Sequence, residues 1–193
     1  MGAVRWKLLP TSWGWMGLAA TKKGWRASTL PYPEPEEALR ALARVLPQGA
    51  LAEEASLALM PPWEEALKAY FAGERVDFRE APLDWEGATP FQRAVWAACR
   101  GIGYGEVLTY GELARRIGHP GAARAVGQAL GANPLPILVP CHRVVGQGGQ
   151  LVGFGGGLEW KARLLHLEGL KVEGRGDGLC EPSWCVGWAM RLP

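Results

Sequence analysis

Residues 109–130 read TYGELARRIGHPGAARAVGQAL, and this stretch predicts two short helices joined by a tight turn. Thr109 and Glu112 have the spacing of a capping box, which begins the first helix, and Gly118 is the residue type that commonly ends one. The His-Pro-Gly sequence at 119–121 breaks the helical pattern before a second helical run over 122–130. The arrangement resembles a helix-turn-helix.

The second helix of this pair consists almost entirely of Ala, Gly and Val around a single Arg124. Small side chains allow a helix backbone to approach a partner surface closely, as in a DNA groove. The same composition also allows tight packing inside a protein. This feature alone therefore favours DNA contact and internal packing about equally.

Helix signals also lie on both sides of this pair. Thr89-Pro90-Phe91-Gln92 combines an N-cap, a proline at the first helical position and a capping-box glutamine, so a helix is expected to begin there. Its apolar face includes Val95, with Cys99 beside it as a small buried side chain. Leu158 to Leu167 predicts a last helix, which Glu168 and Gly169 close.

The first half of the chain predicts a small α+β domain. Its strand and helix patterns are short strands at Arg5–Pro10, Met16–Ala20 and Gly24–Leu30, followed by helices at Glu36–Leu46 and Pro61–Phe71. The first of these helices spaces Ala38, Leu39, Leu42 and Val45 as one apolar face. A segment of mixed polarity, roughly Gly73–Gly87, is expected to be a linker.

The predicted fold class is therefore α+β, with a short antiparallel sheet in the N-terminal domain and a mostly helical C-terminal domain. The expected domains are residues 1–87 including the linker, residues 88–169 with the helix-turn-helix, and a C-terminal extension at 170–193 without an assignable role. No apolar run approaches the roughly 20 residues of a membrane helix. Residues 1–7 make a poor signal peptide, which favours a cytoplasmic protein.

Charge is distributed unevenly along the chain. Residues 1–87 hold 10 Lys or Arg against 12 Asp or Glu, a balance of −2. Residues 88–169 hold 8 basic against 4 acidic residues, a balance of +4, and all but one of the eight are Arg. Because the planar guanidinium matches phosphate oxygens, this bias favours nucleic-acid binding by the second half.

The four cysteines are Cys99, Cys141, Cys180 and Cys185. Four in 193 residues without a secretory signal favour reduced thiols over a disulfide framework. Cys180 and Cys185 supply only two ligands, which do not make a zinc site, and the sequence leaves open whether they pair. We therefore expect no metal.

A thiol beside an imidazole, in Pro140-Cys141-His142-Arg143, is the material of nucleophilic catalysis. Glu168 could orient His142, which gives a Cys–His–Glu chain, and a water would have to link thiol and imidazole because adjacent side chains often point apart. Two reaction classes could use such a group. One is acyl transfer, and the other is alkyl transfer to sulfur.

From about Thr89 to Gly169 the chain resembles the catalytic domain of the O6-alkylguanine-DNA alkyltransferases, the methylated-DNA–protein-cysteine methyltransferases. The Pro-Cys-His-Arg-Val sequence is highly specific, and the flanking matches follow at family spacing. These are Thr-Pro-Phe-Gln at 89–92, Gly-Glu-Val-Leu-Thr-Tyr at 105–110, Ala-Ala-Arg-Ala-Val-Gly at 122–127, Asn-Pro at 133–134, Ile-Leu-Val-Pro-Cys-His-Arg-Val-Val at 137–145, Gly-Phe-Gly-Gly-Gly-Leu at 153–158 and Leu-Leu-His-Leu-Glu-Gly at 164–169.

The resemblance implies catalytic roles for five residues. Cys141 corresponds to the alkyl-accepting nucleophile, with a lowered pKa that provides thiolate at neutral pH. His142 corresponds to a base that acts through water, and Glu168 to its orienting carboxylate. Asn133 corresponds to a buried asparagine that braces the active-site turn. Tyr110 corresponds to a tyrosine whose hydroxyl reaches the base and whose backbone meets the phosphodiester.

The resemblance also implies how DNA is held. Arg124 would enter the duplex and fill the space of the extruded nucleotide, while the second helix lies in the minor groove. The DNA-contacting set would be Arg124, Tyr110, Thr109, Ala123, Ala125, Gly127 and Gln128. The base pocket would be lined by Val144, Phe154, Gly155, Gly156 and Pro136, with backbone carbonyls of Cys141 and Val144 reading the guanine amino group.

The implied function is direct DNA repair. The alkyl group of O6-alkylguanine, and of O4-alkylthymine, would move irreversibly to Cys141 after base flipping, once per protein molecule. The resemblance implies no cofactor, double-stranded DNA as the partner and a monomer. Phe154 replaces a common Tyr, and Gly155 replaces a common Ser or Ala, so we expect tolerance of alkyl groups larger than methyl.

Three alternatives differ in their chemistry. A non-catalytic damage-recognition protein would bind the lesion and recruit other repair, but such relatives lack the cysteine present here as Cys141. A regulator switched by alkylation would need a further DNA-binding or metal-bearing domain. A cysteine hydrolase would use the same thiol and imidazole on acyl groups, and it leaves Arg124 and the helix-turn-helix unexplained.

Overall fold

The computed structural model describes residues 4–47, 50–55, 60–174 and 188–190. It divides into two compact units. The first unit comprises Met1–Ala88 together with Pro134–Val139, and the second comprises Thr89–Asn133 together with Pro140–Pro193. The chain therefore leaves the second unit for six residues immediately before the turn that carries Cys141.

The first unit is built on a sheet with the strand order β3-β2-β1-β4. Strands β1 (Val4–Thr11), β2 (Gly14–Thr21) and β3 (Gly24–Ser28) form the expected antiparallel meander. Strand β4 (Leu51–Glu54) pairs in parallel with β1 and was not predicted. Gly14 makes the first hairpin possible, since its φ is +121° and an added Cβ would collide with the carbonyl of Tyr32.

Two helices accompany this sheet, α1 (Pro35–Val45) and α2 (Pro61–Phe71), both with proline in the first turn. Helix α1 buries Ala38 and Leu42, but Val45 is 44% exposed, so the predicted apolar face ends one turn early. The core contains large, fully buried side chains from the sheet and α2, which are Leu9, Met16, Leu18, Trp25, Leu67, Tyr70 and Phe71.

Residues 73–87, expected as a linker, run along β3. Trp25 donates its backbone N–H to the carbonyl of Pro82 and accepts from Asp84 N, both at 2.8 Å. Phe78 and Ala81 are buried. This segment is therefore hydrogen-bonded through its backbone to β3, the edge strand of the sheet.

The returning segment 134–139 is held by the same edge strand. Ser28 donates from its backbone N–H to Pro134 O at 2.9 Å and from its hydroxyl to Pro136 O at 3.1 Å. The segment belongs to the first unit, and its four apolar residues are buried, namely Leu135, Ile137, Leu138 and Val139. Ile137 has a φ of +73°, an unusual backbone conformation for a β-branched residue.

The second unit is mostly helical, as predicted. Its helices are α3 (Pro90–Arg100), α4 (Tyr110–Arg116), α5 (Ala123–Gly131) and α6 (Leu158–Leu167), and its short strands are β5 (Leu108–Thr109), β6 (Val144–Val145), β7 (Val172–Gly174) and β8 (Trp188–Met190). Strands β5 and β6 are parallel, and β7 and β8 are antiparallel.

The local signals at the helix ends are confirmed. Thr89 and Thr109 both form complete capping boxes, with Gln92 and Glu112 respectively. Trp96 of α3 donates its indole N–H to Ala129 O of α5 at 2.8 Å, which fixes the second helix of the helix-turn-helix to the helix before it. The pair α4–α5 is thus supported from within the second unit.

Cys99 and Cys141 are free thiols, and Cys180 and Cys185 lie outside the described residues. In the described ranges, no cluster of three or more His, Cys, Asp or Glu side chains could hold a metal ion. Of the helices in those ranges, none has the length and apolar character needed to cross a membrane.

Candidate active site

Cys141, His142 and Arg143 form one turn of 3-10 helix between Pro140 and β6. The pairing of β6 with β5 places this turn next to the start of α4, because Val144 pairs with Leu108. Asn133 Nδ2 donates to Cys141 Sγ at 3.3 Å. The nucleophile candidate is therefore held by an amide from the end of the helix-turn-helix and by a strand pair.

Glu168, the residue that follows α6, is buried and accepts from two neighbours of the thiol. His142 Nε2 lies 2.8 Å from Glu168 Oε1, and Arg143 donates from Nε and Nη2 to the two carboxylate oxygens at 2.9 Å each. Gly105 N also donates to Glu168 Oε2, at 3.2 Å. Burial opposes ionisation of Glu168, but His142 and Arg143 outweigh it and hold the pKa of the carboxyl well below its usual range.

The imidazole of His142 is fully buried, and that burial lowers its pKa although Glu168 acts in the opposite direction. His142 is therefore neutral at neutral pH. With Nε2 against an ionised carboxylate, the proton belongs on Nε2, which leaves Nδ1 as the nitrogen that can accept one. This is the protonation state that a general base requires.

The thiol of Cys141 corrects one expectation. Burial raises the pKa of Cys141, and the hydrogen bond from Asn133 and the charge of Lys161 lower it without cancelling that effect. The resting residue is therefore a thiol rather than a preformed thiolate. The physical reason is that the surrounding protein withdraws the sulfur from bulk water, and a thiolate is the form that depends on water most.

Tyr110, at the start of α4, contacts the glycine-rich loop, residues 146–157. Its hydroxyl donates to Val152 O and Gly153 O at 3.1 Å each. An added Cβ on Gly127 would lie 3.6 Å from the ring, so the ring packs close to the backbone of α5. Burial, with a further effect from Cys141, raises the pKa of Tyr110 to about 12, so the hydroxyl keeps its proton.

Comparison with known proteins identifies this arrangement. Residues 90–170 match the family described as 6-O-methylguanine DNA methyltransferase, DNA binding domain. The crystal structure of Mycobacterium tuberculosis O6-methylguanine methyltransferase is similar to this chain, with 39% sequence identity and a TM-score of 0.66. The match covers 86% of this chain and 92% of the mycobacterial chain. The chain belongs to the O6-methylguanine-DNA methyltransferase family.

Two further members of the methyltransferase family extend the comparison. Mycobacterium tuberculosis OGT in complex with DNA matches at 37% identity and a TM-score of 0.70, over 85% of this chain and 92% of that chain. The methylated-DNA–protein-cysteine methyltransferase of Mycolicibacterium paratuberculosis is 58% identical over 104 residues, which are 54% of this chain. The matched part spans 62% of that relative's length.

The predicted DNA-contacting residues of this methyltransferase-family chain lie mainly on α5. Arg124, Ala125 and Gln128 are exposed, and Ala123 and Gly127 are half-buried. The opposite face of α5 buries Val126, Ala129 and Leu130. Thr109 is half-buried, and its hydroxyl caps α4. The small-residue helix therefore packs on one side and presents Arg124 on the other.

The predicted pocket residues of the methyltransferase-family site differ from one another in burial, and one of them belongs to the other unit. Val144 is buried, Phe154 is half-buried, and Gly155 and Gly156 are exposed. An added Cβ on Gly155 would meet no atom within 4 Å, so space is open at this position. Pro136 belongs to the first unit, where its carbonyl accepts from Ser28.

Sequence reasoning missed two cations of this methyltransferase-family site. No role was predicted for Arg143, although its adjacency to Cys141 and His142 was a usable signal. Lys161, in the middle of α6, is fully buried and donates to Val144 O at 2.6 Å. Its signal was that it is the only lysine among the eight basic residues of 88–169.

Proposed function

We propose that this protein repairs DNA by moving the alkyl group of O6-alkylguanine, or of O4-alkylthymine, to Cys141. The observation that carries the proposal is the contact of Asn133 Nδ2 with Cys141 Sγ beside the buried His142–Glu168 pair. A thiol that accepts from an amide, followed in the chain by a neutral imidazole paired with a carboxylate, supports this proposal in a family whose members are methyltransferases.

The reaction balances without a cofactor. Sulfur attacks the saturated carbon on O6, the S–C bond forms and the O6–C bond breaks. The thiol proton passes through a water to His142, and a proton returns to the departing guanine. Because burial raises the pKa of Cys141, the thiolate would form as the substrate arrives rather than in the free protein.

The product is a thioether, which water does not readily hydrolyse. One protein molecule therefore repairs one lesion. Since the nucleophile has to be a free thiol, the reaction suits a reducing compartment, which is consistent with the expected cytoplasmic location.

The lesion is buried in the base stack, so the nucleotide has to be flipped out, at a cost of about a few kcal/mol. Arg124 would occupy the vacated space, supported by its exposure on α5. The small residues of α5 would let the helix backbone approach the minor groove of double-stranded DNA. In this proposal the protein acts as a monomer.

The test is the intact mass of the protein after incubation with a duplex that contains O6-methylguanine. We expect a gain of one methyl group in place of hydrogen, and no gain for Cys141→Ala. An unchanged mass together with tight lesion binding would replace this proposal by the damage-recognition function. Transfer to an O4-methylthymine duplex, measured in the same way, tests the second substrate.

A further inference from the structure

Lys161 occupies a position that a lysine rarely takes. It is fully buried in the middle of α6. Among the described residues, no Asp or Glu lies within ion-pair distance of its ammonium group. Because burying an unpaired cation costs several kcal/mol, a lysine at such a position calls for a compensating role.

The ammonium group joins two segments of the candidate site. It donates to Val144 O at 2.6 Å, directly after the Cys141–Arg143 turn, and to Val152 O at 2.8 Å in the glycine-rich loop. Tyr110 donates to that same Val152 carbonyl, and its ring centroid lies 5.6 Å from the ammonium. Lys161 therefore ties the turn after the nucleophile to the loop after it.

Four titratable groups among the described residues interact electrostatically with this cation. They are Tyr110 of α4, Cys141 and His142 of the 3-10 turn, and Cys99 of α3. Tyr110 keeps its proton, His142 is neutral, and burial raises the pKa of Cys99 well above its ordinary value. Of these four, Cys141 is the group that has to become an anion during alkyl transfer.

We propose that Lys161 is a positioning residue that holds the Cys141 turn against the glycine-rich loop and whose charge favours the Cys141 thiolate. The second part rests on the proposed function, and the first part stands on geometry alone. This role accounts for a buried cation that has no carboxylate partner among the described residues. Its countercharge would exist only while the sulfur is ionised.

The experiment compares Lys161→Met and Lys161→Gln, which remove the charge, with Lys161→Arg, which keeps it. Lys171→Met, an exposed lysine just after α6, is the control. Alkylation of Cys141 by iodoacetamide is followed against pH on the peptide that contains Cys141. This reagent needs no guanine recognition, so the measurement remains informative even if the wild type transfers no methyl group from DNA.

Burial lowers the pKa of Lys161 to about 8, so the ammonium is charged at pH 7 and loses its charge before the thiol itself titrates. We therefore expect the neutral variants to react with iodoacetamide about tenfold more slowly than the wild type at pH 7, and the difference should close as the pH rises above about 9. Lys161→Arg and Lys171→Met should keep the rate at pH 7 near that of the wild type. A purely structural role would lower the melting temperature without this pH-dependent difference in rate, and that result would overturn the proposal.

Lys161→Gln guards against a failure of Lys161→Met to fold, because its amide can still donate to one of the two carbonyls. The guanine-dependent part of the inference is measured separately, as the rate of methyl transfer from an O6-methylguanine duplex. The neutral variants should lose more on this substrate than on iodoacetamide, since they also release the glycine-rich loop. Equal losses on both would reject the positioning part.

Discussion

Arg143 and Glu168 form a buried bidentate pair, in which Nε and Nη2 of the guanidinium each donate to a different carboxylate oxygen at 2.9 Å. The same carboxylate orients His142. This ion pair affects the protonation state of His142, the candidate general base. Since Arg143 keeps Glu168 ionised and also acts to lower the pKa of His142, the imidazole can be oriented by an anion and still remain neutral.

Replacing Arg143 by Met should therefore change both stability and protonation. We expect a loss of about 3–5 kcal/mol in the free energy of unfolding, because Glu168 loses its cation inside the protein. The pKa of His142 should rise, as measured by NMR titration of the imidazole. Arg115→Met, on the exposed surface of α4, is the control and should change neither quantity.

Glu168 should also make stability depend on acid pH. Its folded pKa lies far below the ordinary value of 4.5, so its contribution is fully present above about pH 4.5 and is lost as the pH falls toward the folded pKa. Urea unfolding at a series of pH values checks this. Glu168→Gln should remove part of the acid slope, and an identical slope in both proteins would contradict the assignment.

Arg124→Ala should slow repair of duplex DNA by about 10- to 100-fold while leaving the reaction with free O6-benzylguanine nearly unchanged. The free base needs no flipping, so it does not use an intercalating side chain. Single-turnover rates of Arg124→Ala and the wild type on the two substrates measure this difference. Arg40→Ala on α1 is the control, and equal losses on both substrates for Arg124→Ala would exclude a flipping role.

Compared with Ser or Ala, Gly155 should widen the range of alkyl groups that the site accepts on O6 of guanine. Because a Cβ there meets no atom within 4 Å, the free protein has room at this position, and we expect measurable repair of O6-benzylguanine as well as O6-methylguanine in duplex DNA. Gly155→Val should lower the benzyl rate more than the methyl rate. Complete refusal of the benzyl lesion by the wild type would contradict the prediction.

Local sequence signals predicted much of the second unit. The capping boxes at Thr89 and Thr109 fixed two helix starts, and Leu158–Leu167 agrees with α6 at both ends. These signals involve residues three or four apart, so they do not depend on the rest of the fold. The Cys141–His142–Glu168 chain was first inferred from the residue types, and the family resemblance then gave each of the three a role.

Long-range contacts were not predictable in the same way. The parallel pairing of β4 with β1 joins residues 47 or 48 positions apart, such as Val4 with Leu51 and Trp6 with Glu54, and nothing in the sequence pattern of β4 specifies its partner. Val45 fits the helical period of α1, but its side chain is exposed and does not belong to the buried face of that helix. Likewise, the carbonyl partners of Lys161 are set by how two loops meet α6, which periodicity does not encode.

The brief return of residues 134–139 to the first unit limits how the chain can be divided. A fragment that starts at Thr89 would keep the six residues but lose Ser28, which holds the carbonyls of Pro134 and Pro136. Four buried apolar side chains, those of Leu135, Ile137, Leu138 and Val139, would then lack the unit to which they belong. Residues 89–193 are continuous in sequence but not in the folded molecule, so we expect that they cannot be excised as a self-sufficient piece without redesigning the segment that leads into Cys141.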